Sequence, residues 1–451
     1  MKRGILFFLI SMTALMAQGC MFDVQNADIM RPPKLTTEFE EVKTLLDEFY
    51  GSGLKLMNPS SGVLRAAIQF IDLNNDQQEE AVAFFKDQNE QNALKVAILQ
   101  KNSSGDGWRI LPTIVGIGYD VDQVGFPDLD GDGTKEIVVG WLGGSMLSKG
   151  MSVYKSNPLT TEADQGLQQF EEIFREVYTN FHIADLDMDG TDELVTFLLS
   201  RPDNMAEASL YTLDQDGVKK QDEVSLANDA NRYERMISGL VEDGRYGIVL
   251  DASLSGGASF SEVLVERDGK LIRRFGTSGA SNKSPTYRFD FRLTEDVDRD
   301  GWVEIPTLIS PVGYDRVAKR DVPWITLWNH WDSEGNMVPV FRTYDDQSLG
   351  FRIMLPQSWD NTVTLTRNDQ GIAFAEVQED GIERVKILEV LVIKRSDAEQ
   401  VDAQMKSLGY FELSRTMDHF YYGKTFPHDT LTMNEFGMTE QQLTDAFAVL
   451  N

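Results

Sequence analysis

Short apolar runs rich in β-branched and aromatic residues, separated by turns of Gly, Asp and Asn, fill residues 65–345. Runs of that length and composition read as strands. Residues 122–129, 137–142, 151–155 and 170–174 are four candidate strands in succession, and 288–294, 303–309, 324–328 and 338–342 repeat the order. Between the first and second strand of each set lies a dense acidic turn. Asp128-Leu-Asp130-Gly-Asp132-Gly133-Thr134-Lys-Glu136 runs into Ile137-Val138-Val139. Asp185-Leu-Asp187-Met-Asp189-Gly190-Thr191-Asp-Glu193 and Asp296-Val-Asp298-Arg-Asp300-Gly301-Trp302-Val-Glu304 share the design, and Asp72-Leu-Asn74-Asn-Asp76-Gln77-Gln78-Glu-Glu80 is a variant. The first positions, 72, 128, 185 and 296, lie 56, 57 and 111 residues apart, so a further copy is expected near 240. Residues 239–247 fill that place, keeping Asp243 and Gly244 and losing the acids of positions one, three and nine. Five units of four strands predict a mainly β chain whose centre is a roughly five-bladed β-propeller of four-stranded blades. A β-solenoid has shorter rungs and fits the interval less well.

Outside the repeats the pattern changes. Thr37-x-x-Glu40 is a capping box, and Phe39, Val42, Leu45, Leu46 and Phe49 recur at helical spacing until Gly51. A helix and lead-in are therefore expected over residues 36–64. After residue 346 the sequence predicts a small α+β domain. Its strands are expected at 363–366, 372–377, 385–393, 410–414 and 420–425. One helix is expected after Ser396, with Val401, Met405 and Leu408 on one face, and a last one after Thr439, carrying Leu443, Phe447 and Leu450. The opening Phe351-Arg-Ile-Met-Leu-Pro-Gln-Ser-Trp359 is similar to Mog1/PsbP-like domains, a likeness that brings no functional residue with it.

Composition narrows the partners. The 451 residues hold 42 Lys and Arg against 72 Asp and Glu, a formal charge of −30. Such an excess of acid repels nucleic acid and anionic membrane surfaces. The single Cys, Cys20, follows Lys2-Arg3, the apolar stretch 5–16 and Ala17-Gln18-Gly19. This is a signal peptide over residues 1–19, its apolar stretch too short for a comfortable membrane span. It resembles the signal of bacterial lipoproteins, with Ala17 in the usual Leu place; ordinary cleavage after Gly19 also fits. The resemblance implies lipidation of Cys20, a tether over residues 20–35, and a membrane-anchored protein outside the cytoplasmic membrane or in the cell envelope.

The acidic turns carry the most specific chemistry. Hard cations such as calcium take six to eight oxygens, which a tight turn supplies through alternate acidic side chains, a Gly at the bend and a carbonyl. Here Asp stands at positions one, three and five, Gly at six and Glu at nine. No Glu follows at position twelve on a helix, so these are not EF-hands. The turns resemble those of FG-GAP and VCBS repeats, the calcium-binding blades of integrin-α-type propellers. The resemblance covers residues 60–345 and implies calcium ligation by Asp128, Asp130, Asp132, Thr134 and Glu136; by Asp185, Asp187, Asp189, Thr191 and Glu193; and by Asp296, Asp298, Asp300, Trp302 and Glu304. In each set the Thr or Trp acts through its carbonyl. Asp72, Asn74, Asp76 and Glu80 form a weaker fourth site, because Gln77 replaces the Gly. About three calcium ions are expected, with a structural role, and the copy at 239 is expected to be empty.

No catalytic motif accompanies these turns. His182, His330, His419 and His428 have no metal spacing to one another, and no nucleophile elbow, phosphate loop or zinc-protease motif occurs. Ser255-Gly256-Gly257 reads as a blade turn, and Trp324, Trp328 and Trp331 as blade packing or a carbohydrate-stacking surface. The sequence thus points to a non-enzymatic binding or envelope interaction module with an unknown protein or glycan ligand. Its rival is a carbohydrate-active or other hydrolytic enzyme on the same propeller.

Overall fold

The apolar runs form antiparallel strands, and the central ones, such as residues 80–87, 137–142 and 259–267, are buried on both faces. A computed structural model describes residues 37–450, apart from 52, 92, 103–106, 144–148, 159–167, 201, 204, 215–216, 243, 275–283, 333, 361, 378–383 and 427–436. The expected signal peptide, Cys20 and the tether lie outside the described residues, as do Asp243 and His428. Chain contacts define two units, one of residues up to 57 with 67–71 and 79–115, the other of 58–66, 72–78 and everything from 116 onward. Among the described residues no helix is long and apolar enough to cross a membrane.

The first unit opens with α1 (Thr37–Tyr50), which buries Val42 and Leu46 and leaves Phe49 exposed. Gly51, at φ +81°, ends it in the left-handed conformation that glycine adopts without strain. Six strands make its sheet: β1 (Leu54–Leu56), β2 (Ile68–Ile71), β3 (Glu80–Asp87), β4 (Ala93–Lys101), β5 (Trp108–Ile110) and β6 (Ile114–Val115), ordered β1-β3-β4-β5 with β2 on β3 and β6 on β4. Val42 and Leu46 pack with Phe85, Ala97 and Leu99 as its core.

The second unit holds five sheets. β7 (Asp120–Gly125), β8 (Ile137–Leu142), β9 (Lys149–Pro158) and β10 (Gln168–Tyr178) form one four-stranded meander. β11 (Asn180–Ala184), β12 (Glu193–Ser200), β13 (Met205–Asp214) and β14 (Gly217–Ser225) form the next, and β15 (Arg232–Glu242), β16 (Arg245–Ser253), β17 (Ser259–Arg267) and β18 (Lys270–Arg273) a third. A five-stranded sheet follows: β19 (Ile305–Ile309), β20 (Ile325–Trp331), β21 (Met337–Asp346), β22 (Phe351–Leu355) and β28 (Phe447–Val449). The last sheet, ordered β23-β24-β25-β27-β26, is built from β23 (Val363–Asn368), β24 (Gly371–Val377), β25 (Arg384–Lys394), β26 (Phe411–Arg415) and β27 (His419–Thr425). α2 (Arg395–Ser407) and α3 (Glu440–Ala446) complete the chain.

Apolar faces of successive sheets share cores. Val138, Val153, Phe181 and Leu194 join the first two meanders; Phe197, Leu210, Ile248 and Phe260 join the second and third. Val249, Val263, Val303 and Trp331 join the third to the β19 sheet, and Phe351, Ile353, Leu388 and Val390 bind that sheet to the last. Successive meanders of four strands, packed face against face, are consistent with a propeller-like fold.

Four elements differ from expectation. Residues 288–294 form no strand: Arg288 is fully buried, holds Asp251 at 3.1 Å, and its backbone bridges Ser259 instead. Residues 351–355, expected to open the α+β domain, pair with β21 in the preceding sheet and lie between it and β28. The final helix stops at Ala446, and Phe447–Val449 pairs antiparallel with β22, because Phe447 stacks on Phe351 at 5.7 Å. Ser396 caps nothing; α2 begins one residue earlier, and the Ser396 hydroxyl donates to Asp397. The expected cap at Thr439 is present: its hydroxyl accepts from the Gln442 N–H at 3.2 Å, and the Gln442 side chain accepts from the Thr439 N–H at 2.8 Å.

Candidate metal centre

Each acidic turn is folded by its own carboxylates. The position-six N–H donates to the position-one carboxylate in all four copies: Gln77 to Asp72 at 2.9 Å, Gly133 to Asp128 at 2.9 Å, Gly190 to Asp185 at 2.9 Å, and Gly301 to Asp296 at 3.2 Å. The position-seven N–H donates to position five, from Gln78, Thr134, Thr191 and Trp302, each at 2.8 Å. Positions four and six are left-handed in every copy. Asn75, Gly131, Met188 and Arg299 have φ from 58° to 68°; Gln77, Gly133, Gly190 and Gly301 have φ from 69° to 94°. The variant copy therefore adopts the same bend although it lacks the Gly.

Position nine closes the three complete turns. Glu136, Glu193 and Glu304 are 1%, 6% and 0% exposed. One oxygen of each accepts the position-two N–H, of Leu129 at 2.9 Å, Leu186 at 2.7 Å and Val297 at 2.8 Å, which leaves Oε1 for other partners. Donor atoms of Asp128, Asp130 and Glu136 lie within 4.8 Å of one another, as do those of Asp185, Asp187 and Glu193, and those of Asp296, Asp298 and Asp300. Asp132 and Asp189 fall outside these triads and bind the backbone of Thr134 and Thr191; the Thr134 hydroxyl also donates to Asp132. In the variant copy Asp72, Asn74 and Asp76 are tied to one another through the Asp76 N–H and belong to the second unit. Glu80 is buried at the start of β3, in the first unit.

Consecutive turns are stitched together. The Lys135 N–H donates to the Leu73 carbonyl at 2.7 Å, and Asp192 and Asp128 exchange bonds of 3.0 and 3.1 Å. The degenerate copy is a tight hairpin between β15 and β16, tied to the last turn by Val303 N–H to the Leu240 carbonyl at 2.8 Å. Its Glu242 is buried and paired with Arg245 at 3.1 Å and Arg274.

Crowding acids in buried turns disfavours their charge. Burial, together with Asp130 and against the Leu129 N–H, pushes the Glu136 carboxyl up to about 7; burial and the acids at 185, 187 and 189 push Glu193 up to about 8. Asp128 Oδ1, Asp130 Oδ1 and Glu136 Oε1 are buried and receive no hydrogen bond. An all-oxygen donor set with unused buried lone pairs fits a hard divalent cation.

Two basic residues beside the turns are not legible from the acidic pattern. Lys155 on β9 binds Asp130, reaches Asp132 at 3.1 Å and stands 3.7 Å from Glu136 Oε1. Burial would lower its pKa, but these carboxylates hold it above the usual lysine range. His330 on β20 meets Glu304 Oε1 at 2.7 Å, stacks on Trp302 at 4.8 Å, and forms a second possible donor group with Asp300 and Glu304. Only the strand register, with Ile137 opposite Tyr154 and Ile305 opposite Asn329, brings them there.

The expected tryptophan surface is divided. Trp328 and Trp331 are buried, Trp328 donating to Thr343 at 2.8 Å, so both pack the sheet interior. Trp324 lines a cleft of about 1300 Å³ with Tyr314, Arg235 and Arg299. Acids of that cleft are bound to arginines, Glu295 to Arg352 at 2.9 Å and Asp346 to Arg367 at 2.7 Å.

No protein-family profile and no curated protein matches the sequence. Among solved structures the chain is similar to Sqt1 of Chaetomium thermophilum (10% identity, 74% of each chain, TM-score 0.33) and Sqt1 of Saccharomyces cerevisiae (9%, 82% of this chain and 86% of that one, TM-score 0.32). It is also similar to a Bacteroides fragilis protein provisionally named a 6-phosphogluconolactonase (10%, 74% and 93%, TM-score 0.28). These superpositions assign neither a family nor an activity.

Proposed function

We propose that this chain is an exported, lipid-anchored, calcium-binding repeat protein that acts as a binding or interaction module in the cell envelope, without an enzymatic activity of its own. In this reading the five repeat units are the blades of a β-propeller, and the acidic turns of FG-GAP/VCBS type are its metal frame. The carrying observation is the hydrogen-bond frame shared by four turns, which in the three complete ones gathers Asp128, Asp130 and Glu136, then Asp185, Asp187 and Glu193, and then Asp296, Asp298 and Asp300, into oxygen clusters. Calcium would add positive charge to these groups of carboxylates, so binding and folding would be linked by mass action. Anchoring is supported by the leader and Cys20 in the sequence.

Titration of the purified protein with calcium should show tight binding and a rise in melting temperature that a chelator reverses. An absence of both refutes the metal frame. Cys20→Ser should move the protein from the membrane to the soluble fraction of the envelope; unchanged fractionation refutes the anchor.

A further inference from the structure

We propose that one strand position decides which acidic turns take calcium: Lys155 fills the turn at 128–136 with a tethered cation, whereas Thr212 leaves the turn at 185–193 open to the metal. This inference rests on the calcium reading of the turns. The residue after each turn pairs with a residue on the strand next in sequence: Ile137 with Tyr154, Leu194 with Tyr211, and Ile305 with Asn329. Lys155, Thr212 and His330 therefore take equivalent places opposite the position-nine Glu, which makes the three complete turns chemically unequal.

At the first turn the Lys155 ammonium stands among Asp130, Asp132 and Glu136. The Glu136 side chain is 1% exposed, its Oε1 accepts no hydrogen bond, and its nearest cation is that ammonium. An ammonium and a calcium ion cannot share those oxygens, because like charges at contact distance repel strongly. Calcium entry thus requires Lys155 to swing out, which its part-exposed side chain permits. Breaking its charge-assisted bonds lowers affinity by roughly tenfold to a hundredfold.

At the second turn Thr212 offers no charge. A cavity of about 370 Å³ opens there, bounded by Asp130, Asp187, Asp189, Glu193 and Glu266, and among the described residues no Lys, Arg or His lines it. The degenerate copy shows the opposite extreme, since its buried Glu242 is held by arginines in place of a turn. A carboxylate of this frame is neutralised either by a basic side chain or, where none is built in, by the metal.

The reciprocal exchange tests this. Calcium calorimetry on purified Lys155→Thr should show one more tight site than wild type, or one site tightened at least about tenfold. Thr212→Lys should show one fewer. Lys155→Arg, which keeps a cation, should match wild type, and Lys155→Met repeats the gain should the Thr variant fold poorly. Calcium binding by wild type with no gain in either Lys155→Thr or Lys155→Met overturns this inference and leaves the calcium reading standing. No calcium binding in any of these proteins overturns both.

Discussion

Single residues carry both the regularity and the exceptions. The acids at 128, 130, 132 and 136 and their counterparts are legible in sequence because a metal turn fixes residue type at a fixed offset, whatever surrounds it. Lys155 and His330 are not, because their place depends on a cross-strand register that no local pattern encodes. Gln77 shows that side chain and bend can disagree: it occupies φ +69° where the other copies have Gly, at a cost of about 1 kcal/mol. His182 is another quiet position. Its Nε2 is buried without a hydrogen-bond partner, and burial pushes the ring from the ordinary 6.5 down to about 4. Between those values the unfolded chain binds a proton that the folded chain does not. Stability therefore falls as pH drops from 6.5 towards 4, by about 3 kcal/mol in total from this ring. His182→Gln should flatten that part of the profile in urea melts across the window. Equal slopes in variant and wild type would show that the ring is not held neutral.

At the scale of elements, strands were legible where apolar runs lie between turn residues, as in β8, β24 and β25. The pattern misleads at 288–294, where alternation suggests a strand and the chain instead spends its polar groups on a buried network. Asp251 accepts from Ser261 at 2.5 Å, from the Thr294 N–H at 2.6 Å and from Arg288 at 3.1 Å. Both charged partners are fully buried, so neither can be hydrated if the other is lost. Arg288→Met should therefore destabilise the protein by about 3–5 kcal/mol, and adding Asp251→Asn should restore part of that loss. Denaturant midpoints measure both; a single variant as stable as wild type would mean that water reaches Asp251. The last helix fails for a different reason. Leu443 and Phe447 keep helical spacing, but Phe447 gains more from stacking on Phe351 than from another helical turn.

For the whole molecule, the repeat interval predicted five units of four strands; among the described residues three sheets are four-stranded meanders in chain order, while the first sheet has six strands and the β19 sheet five. The boundary near 346 was drawn at a change of composition, yet pairing and packing continue across it, because β22 extends the earlier sheet while Ile353 and Leu388 share a core. Of the acids behind the charge of −30, thirteen lie in the three complete turns, Asp192 included. Lys155 and the arginines around Glu242 show that part of this acid is balanced within the fold. The pairing of β22 with β28 also sets an order of events during synthesis. Phe351 meets Val449 only after the whole of the intervening sheet has been made. At ribosomal speeds the outer edge of β22 waits roughly 5–20 s for its partner, an interval in which a chaperone or a second nascent chain competes for it.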